Sequence, residues 1–264
     1  MQIIETKKNG FSKRIENKVS EESQSRHSST IEKKLNTEFK NDEAVTNILK
    51  DVMSVLSSLP TRLVVQSNWT KTTRRRGNTD SDIYHDETNK MFIKRFAFPI
   101  GDKTAEKNVI REIVLQKYTH TLNNECKFFS PDVVAFGKFE NTENRTTEIY
   151  FGMHAVPDSS SLKDLHSYFE THKDECEYVA NKVTDMVACL TANKLSHNDL
   201  NTGNIFFNIN SKQIGLIDFG EARYGGTIGL NSFNDRDHHF MCRNVLGITK
   251  KRQSNSRGGR TRRN

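Results

Sequence analysis

The sequence predicts an α+β fold, in which strands and helices form separate groups instead of alternating βαβ units. Strand-like runs bounded by turn residues occupy residues 61–100, 132–156 and 204–218. Helical spacing of apolar residues instead marks residues 31–59, 104–120 and 174–193. The order along the chain is a helical segment, strands, a helix, strands, a long helix and a final hairpin, which is the α+β pattern.

The bulk composition excludes a membrane-spanning protein. Hydrophobic residues make up 34% of the 264 residues and the mean hydropathy is −0.73, so part of the chain is expected to lie outside a packed core. No run approaches the roughly 18 apolar residues that a membrane span needs, so no membrane partner is expected. Residues 1–30 are polar and rich in Ser, Lys and Glu, and we expect them to form a disordered N-terminal segment.

The four cysteines bear on the redox environment. Cys126, Cys176, Cys189 and Cys242 lack the close spacing of a disulfide framework or a CxxC metal site. The first ten residues, MQIIETKKNG, lack the apolar core of a secretory signal. Together these features predict free thiols in a reducing compartment. The expected location is therefore intracellular, in the cytoplasm or the nucleus.

The excess positive charge lies at one end of the chain. The formal net charge is +7, and residues 250–264 contain seven basic residues and no acidic one. The basic residues of this segment are Lys250, Lys251, Arg252, Arg257, Arg260, Arg262 and Arg263. Without them the numbers of basic and acidic residues are equal. We expect a disordered basic tail over residues 250–264 that contacts nucleic acid, an acidic partner or an import receptor, or that only adds solubility.

A helical extension and a set of strands are expected before residue 100. Apolar residues at helical spacing, followed by Pro60, predict a helical extension over residues 31–60. Residues 61–100 favour β structure. In DIYHDETNKMFIKRF, the turn residues from Asp86 to Lys90 join two apolar runs and predict a hairpin.

After the helix expected over residues 104–120, two strands are expected on either side of a polar turn from Asn141 to Arg145. Ser161 and Asp164 have the spacing of a capping box, which predicts a short helix. A stronger helix is expected over residues 174–193. The segments NIFFNI and QIGLID then predict a hairpin.

One stretch, LSHNDLNTGNIFF, has the residue types that phosphoryl transfer requires. It places His197, Asp199 and Asn204 in the spacing H-x-D-x-x-x-x-N, and Asp218 follows fourteen residues after Asn204. Asn204 and Asp218 lie on opposite strands of the predicted hairpin, and their side-chain oxygens suit Mg²⁺. Asp199 could accept a proton from a substrate hydroxyl or orient that hydroxyl. We expect His197 to support the loop by packing against Phe219.

The motifs HNDLNTGN and DFG, at this separation, resemble the catalytic loop and the metal-binding motif of the protein-kinase-like superfamily. The resemblance implies a strand lysine paired with a helix glutamate further upstream. MFIKRF supplies Lys94, and NVIREIVLQ supplies Glu112, eighteen residues later. It also implies the cofactors ATP and Mg²⁺, with Lys94, Glu112 and Asp199 in catalytic roles and with Asn204 and Asp218 as metal ligands.

The resemblance covers residues 62–248. It implies a kinase-like domain over residues 61–249, built as two lobes: a β-rich N-terminal lobe and a short, mainly helical C-terminal lobe. EIYFGMHAVPDSSSLKDL is similar to the family's fifth strand, hinge and following helix. Adenine would then bind backbone groups of Met153, His154 and Val156, because backbone there would lack a ladder partner.

The expected phosphate-covering loop departs from the family pattern. The family has G-x-G-x-x-G between its first two strands, whereas TTRRRGNTDSDIY has one glycine, Gly77. Gly77 would still let backbone amides approach the nucleotide phosphates, although a single glycine weakens this phosphate binding by the backbone. Arg74, Arg75 and Arg76 either compensate as phosphate contacts or are simply solvated.

Two asparagines in the loop that resembles a catalytic loop also differ from the residues that common kinases have at these positions. Asn198 stands where common kinases have the Arg that reads a phosphate on the activation loop, so that switch is not expected here. Asn201 stands where Ser/Thr kinases have Lys. The loop is more similar to the H-G-D-L-x-x-x-N loops of RIO-type and Bud32-type kinases and of small-molecule phosphotransferases.

Three functions are compatible with these features. The first is a minimal, atypical kinase that phosphorylates Ser/Thr hydroxyls of a protein substrate. The second is a small-molecule phosphotransferase on the same fold, although the chain has little room for the helical insertion that often forms the substrate pocket. The third is a pseudokinase or binding module whose basic tail engages nucleic acid. The poor glycine loop favours this third function, and the intact metal ligands oppose it.

Overall fold

The fold is described by a computed structural model, which covers residues 29–40, 42–58, 63–76, 79–156 and 158–225. For residues 72–76 and 79–80 it describes the backbone alone. Most of the N-terminal segment expected to be disordered, and the whole basic tail, lie outside the described residues. Within them the structure has the mixed α+β composition that the sequence predicts, with antiparallel sheets beside helices.

Two helices, rather than the single expected one, form the N-terminal extension. They are α1, residues 29–38, and α2, Glu43–Ser58. Lys40 lies between them with a left-handed φ of 52°, a conformation that an L-residue cannot hold inside a right-handed helix. The Asp42 carboxylate then accepts hydrogen bonds from two backbone N–H groups in the first turn of α2, so it caps the new helix.

Five antiparallel strands form the main sheet. They are β1 (Thr70–Arg76), β2 (Thr79–Asp86), β3 (Met91–Pro99), β4 (Val133–Asn141) and β5 (Thr146–His154). Their order in the sheet is β1-β2-β3-β5-β4. The two predicted hairpins are confirmed, because β2 pairs with β3 and β4 pairs with β5. β1 and β2 pair as far as Arg76 and Thr79, so residues 77–78 alone connect them.

The helix expected over residues 104–120 is confirmed as α3, Lys103–Thr121. Asp102 fixes its start, because the carboxylate accepts hydrogen bonds from the backbone N–H groups of Thr104 and Ala105. The helix contacts α2 and also strands β3, β4 and β5. Residues 109–116 are all buried, so burial reaches every face of the helix and the one-sided apolar pattern of a surface helix is lost. The four-residue helix α4, Asn123–Cys126, follows.

Apart from one long helix, the elements after β5 are short. They are β6 (Ser159–Ser161), α5 (His166–Thr171), α6 (Lys173–Ala192), β7 (Leu195–Ser196), β8 (Ile205–Asn208), β9 (Gln213–Leu216) and β10 (Arg223–Tyr224). The predicted hairpin is confirmed as β8 and β9, which β6 joins to give the order β6-β8-β9. β7 pairs with β10 in a separate two-stranded sheet. No helix among the described residues has the length and apolarity to cross a membrane.

The helical extension shares one hydrophobic core with the rest of the described protein. Ile31, Leu35 and Phe39 are buried in the same cluster as residues of α3, β5 and α6. Polar contacts join the same parts: a Glu38 carboxylate oxygen lies 3.5 Å from a guanidinium nitrogen of Arg111 in α3. The extension is therefore packed onto the helix that carries Glu112.

The expectation of free thiols is wrong. Cys126 of α4 and Cys189 of α6 form a disulfide with Cα atoms 5.5 Å apart, and Cys176 is also disulfide-bonded. None of the cysteines among the described residues is free. The bonded pair is 63 residues apart in sequence, so only the packing of α4 against α6 brings the two together. The cysteines therefore give no support for a reducing compartment.

Candidate active site

Three charged side chains meet between the main sheet and α3. The Nζ atom of Lys94 lies 2.5 Å from Oε1 of Glu112 and 3.1 Å from Oδ1 of Asp218. The exposed fractions of the three side chains are 10%, 6% and 8%, so the cluster is shielded from solvent. The paired Lys94 and Glu112 match the geometry expected from the sequence, and the structure adds the direct contact of Lys94 with Asp218.

Lys94 reaches this position because β3 is the central strand of the sheet. It lies opposite Ile83 of β2 and Phe151 of β5, so the backbone on both sides of it is held by ladder hydrogen bonds. Glu112 lies near the middle of α3, where the surrounding residues pack against the sheet. A rigid strand and a rigid helix thus fix the distance between the two side chains.

The carboxylates keep Lys94 charged. Burial by itself lowers the pKa of Lys94, but the negative charges of Glu112 and Asp218 outweigh it and raise that pKa above its usual value.

Asp199 and Asn204 form a second pair. The Asn204 amide nitrogen donates to the Asp199 carboxylate at 3.0 Å and to the Asp199 backbone carbonyl at 2.9 Å. Asn201 shapes the loop between them, because its side-chain oxygen accepts from the Gly203 N–H at 2.9 Å. Asn204 is only 1% exposed. The loop thus holds the Asp199 side chain in one place.

His197 supports the loop as expected. Its ring packs edge-to-face on Phe219 with centroids 4.9 Å apart. Its Nε2 lies 3.0 Å from the carbonyl oxygen of Ile217, and the Asp199 N–H approaches its Nδ1 at 3.4 Å. A carbonyl accepts and an N–H donates, so these partners select the neutral tautomer with the proton on Nε2. A ring held in this way is a structural link rather than a base.

The hairpin joins the two groups of site residues. Ile217, directly before Asp218, donates its N–H to the carbonyl oxygen of Asn204 at 3.0 Å. Asp218 itself has a left-handed φ of 68°, which turns the chain out of the hairpin as its carboxylate contacts Lys94. The structure therefore brings Lys94 and Asp218 into contact. Asn204 lies directly before β8 and Asp218 two residues after β9, so both flank the hairpin instead of lying on its strands as expected.

The residues present fit Mg²⁺ only together with a phosphate ligand. Among the described residues, no group of three or more His, Cys, Asp or Glu side chains could hold a metal ion. Mg²⁺ often takes only one or two protein oxygens and completes its shell with water and substrate phosphates. Asn204 and Asp218 meet that lesser requirement.

The nucleotide-binding prediction needs one correction. Backbone groups from Met153 onward were expected to lack ladder partners, yet Met153 lies opposite both Phe92 and Val133 in the sheet. His154 lies opposite Met91 in a non-hydrogen-bonded pair, so its backbone does not bond to β3. The pairing even extends one residue further, because the Ala155 N–H donates to the carbonyl of Lys90 at 2.8 Å. The main sheet is longer here than the sequence indicated.

Two other parts of the predicted nucleotide site have different outcomes. The Val156 carbonyl accepts from the Ser159 hydroxyl at 3.0 Å, just after the sheet. Gly77 lies outside the described residues, as do the side chains of Arg74, Arg75 and Arg76.

A small cavity of about 100 Å³ adjoins the Lys94 cluster. Its lining includes two arginines that sequence analysis did not single out, Arg111 and Arg223. Arg111 is 3% exposed, and burial and then the charge of Arg223 lower the pKa of its guanidinium. The position of Arg111 directly before Glu112 was the available signal for it. Arg223 had none, because its approach to Arg111 depends on β10.

A comparison with protein families supports phosphoryl-transfer chemistry for part of the chain. The model of the phosphotransferase enzyme family (APH) matches residues 160–226, about a quarter of the sequence. The matched segment contains Asp199, Asn204 and Asp218, whereas Lys94 and Glu112 precede it. The match supports a place in the protein-kinase-like superfamily and indicates phosphotransferase activity. No curated protein sequence matches the chain.

Proposed function

We propose that this protein transfers the terminal phosphoryl group of Mg²⁺-ATP to a Ser or Thr hydroxyl of a protein. The observation that carries the proposal is the buried contact of Lys94 with both Glu112 and Asp218. A buried, charged lysine held by a helix glutamate supplies a fixed cation for nucleotide phosphates. The shared phosphotransferase match over residues 160–226 supports the same reaction class.

In this proposal Lys94 binds the nucleotide phosphates and Glu112 holds Lys94 in place. Asn204 and Asp218 would hold Mg²⁺, which when bound neutralises the charge that develops on the transferred phosphoryl group. The backbone around Val156 and Gly77 would contact the adenine and the phosphates. Met153 would contribute side-chain or van der Waals contacts instead of free backbone groups, because it lies in the ladders with both Phe92 and Val133. The His154 backbone faces away from β3, so it would still contact the adenine.

Asp199 would act on the acceptor hydroxyl. Its carboxylate is held by the Asn204 amide at 3.0 Å, which orients it without removing its charge. It accepts the hydroxyl proton or orients the hydroxyl toward the phosphoryl group. Both roles need the carboxylate, so replacement by Asn tests them together.

The short segment between the main sheet and the catalytic loop favours a protein acceptor. From residue 158 to residue 198 the described chain forms β6, α5, α6 and β7, and α5 has six residues. A large inserted pocket for a small molecule would need more helical structure than this. We therefore infer an open acceptor site that suits a side chain on a protein surface.

A small-molecule acceptor is the second candidate. It is favoured by the match to the phosphotransferase enzyme family over residues 160–226. A third candidate, a pseudokinase or binding module, is opposed by the intact set of Lys94, Glu112, Asp199, Asn204 and Asp218.

One experiment separates these candidates. Purified protein is incubated with Mg²⁺ and labelled ATP, first alone, then with generic protein substrates, and then with aminoglycoside-like small molecules. Lys94→Met is the matched inactive control. We expect a rise in melting temperature with Mg²⁺-ATP and label transfer to protein. Transfer only to small molecules would support the second candidate. The absence of both thermal stabilisation and transfer would contradict the enzyme proposals.

We further propose that residues 61–249 form a two-lobed kinase-like domain, with the nucleotide between the lobes. The basic tail over residues 250–264 would contact nucleic acid or an acidic partner. Truncation after Thr249 tests the tail in a binding assay with single-stranded nucleic acid at increasing salt. The full chain should lose affinity steeply with salt because bound counterions are released, and the truncated chain should bind weakly throughout.

A further inference from the structure

Asn198 stands at the point where a strand pair ends and the catalytic loop begins. β7 and β10 pair through Ser196↔Arg223 and Leu195↔Tyr224. This register, continued by two residues, places Asn198 opposite Glu221. The backbone cannot continue the pairing, however, because Asn198 has a left-handed φ of 62°. The chain therefore leaves the strand at this residue and enters the loop that carries Asp199.

The Asn198 side chain takes over the missing hydrogen bond. Its Nδ2 donates to the backbone carbonyl of Glu221 at 3.1 Å, which is the partner that a strand N–H would have met. Its Oδ1 accepts from the Ser196 hydroxyl at 2.5 Å, which fixes the amide plane. The ladder is thus extended by a side chain while the backbone turns away.

These bonds connect two segments that the proposed reaction needs in a fixed relationship. Asn198 directly precedes Asp199, and Glu221 lies three residues after Asp218. Two other links join the same segments, from Nε2 of His197 to the Ile217 carbonyl and from the Ile217 N–H to the Asn204 carbonyl. Those two links lie before Asp218 in the chain. The Asn198 link lies beyond it, so Asp218 is bracketed on both sides.

We propose that Asn198 is a positioning residue that holds the Asp199 loop against the Asp218 segment. The proposal rests on the proposed function and adds a residue that positions its site. A neutral amide both donates and accepts, so one side chain makes both bonds.

The residue type fits this role closely. Asparagine tolerates a left-handed φ better than other residues that have a side chain, apart from aspartate. Aspartate has the same shape but no donor for the Glu221 carbonyl. Glycine accepts the backbone conformation and has no side chain at all. The two substitutions therefore remove the donor in different ways and leave the backbone conformation accessible.

The test compares Asn198→Asp and Asn198→Gly with the wild type and with Asn144→Asp, which makes the same change on the exposed turn between β4 and β5. Hydrogen exchange is measured without nucleotide for peptides covering residues 197–204 and 217–225. Steady-state kinetics then give kcat and KM for Mg²⁺-ATP. Both Asn198 variants should exchange faster in the two segments together. Their kcat should fall about threefold to tenfold, the effect of one lost hydrogen bond, with little change in KM.

Two outcomes would overturn the positioning role of Asn198. Unchanged exchange in either segment would overturn the proposal, whatever happens to activity. Faster exchange with an unchanged kcat per folded molecule would show a purely structural bond and would also overturn it. If the wild type transfers no phosphate under any condition, the proposed function fails by itself. The exchange data would then still decide whether Asn198 holds the two segments together.

Discussion

The ammonium of Lys94 lies 3.1 Å from the carboxylate of Asp218, although 124 residues separate them in the chain. The contact joins the central strand β3 to the residue where the β8–β9 hairpin ends. Because Glu112 binds the same ammonium at 2.5 Å, one cation links a strand, a helix and the end of a hairpin. The position of each of the three side chains therefore depends on the other two.

Glu112→Gln should weaken nucleotide binding more than it weakens the fold. Lys94 would keep Asp218 as its charged partner, but it would no longer be held on the α3 side. We expect the KM for Mg²⁺-ATP to rise about tenfold, because a buried ion pair loses one charge. Steady-state kinetics check this, with Glu170→Gln on the solvent side of α5 as the control. An unchanged KM would show that Glu112 does not position Lys94 for the nucleotide.

Asp218→Ala should abolish phosphoryl transfer and leave the fold largely intact, because Asp218 would serve Mg²⁺ rather than the core. Its φ of 68° adds a complication, since alanine is strained in this region. Asp218→Asn is the sharper variant, because asparagine tolerates that φ and removes only the charge. We expect transfer to fall at least about a hundredfold for Asp218→Asn, from the loss of a metal-binding carboxylate.

The measurement for this pair of variants combines transfer of labelled phosphate with thermal unfolding in the absence of nucleotide. Asp218→Asn should melt close to the wild type and lose the stabilisation by Mg²⁺-ATP. Residual transfer above a tenth of the wild-type rate would contradict a role for Asp218 as a metal ligand.

The bond between Tyr224 and Asp42 should make stability depend on acid pH. The Tyr224 hydroxyl donates to the Asp42 carboxylate at 2.6 Å, and this bond, above all, holds the pKa of Asp42 below its usual value of 3.8. A carboxyl whose pKa is lowered by folding stabilises the protein above its unfolded pKa. That contribution is lost as the pH falls through the lower folded pKa.

Tyr224→Phe should therefore lower the free energy of unfolding at pH 7 by about 1.5–3 kcal/mol, the range for a hydrogen bond to a charged group. The difference from the wild type should shrink as the pH falls below about 4. Urea unfolding at pH 7 and pH 3 checks both points. Tyr178→Phe is the control, because the Tyr178 hydroxyl donates to the Lys212 backbone carbonyl at 3.3 Å in an exposed position. A difference that stays constant with pH would mean that Asp42 is not the titrating partner.

Loss of the Cys126–Cys189 disulfide should lower stability. The bond closes a sequence separation of 63 residues between α4 and α6, and a disulfide of this kind contributes about 2–4 kcal/mol. The double variant Cys126→Ala/Cys189→Ala avoids leaving a reactive thiol. Its melting temperature under oxidising conditions should lie below that of the wild type. Equal melting temperatures would show that the bond does not constrain the unfolded chain.

The sequence by itself determined the elements whose signals are local. The hairpin turns at residues 86–90 and 141–145, the helix α3, and the spacing of Asp199, Asn204 and Asp218 all follow from neighbouring residues. Periodicity and turn chemistry act over a few residues, and so these features were readable without the fold. The Lys94–Glu112 pair was expected only because the motifs around Asp199 and Asp218 resemble those of the protein-kinase-like superfamily.

The tertiary structure alone decided which distant groups meet. It joined Cys126 to Cys189, placed Asp218 on Lys94, and packed the N-terminal helices against α3. It also extended the sheet through Ala155 and so occupied backbone that the sequence suggested was free. Such contacts depend on how whole elements pack against each other. This packing is determined by burial and shape over the entire fold, and it produces no pattern of regular spacing in the sequence.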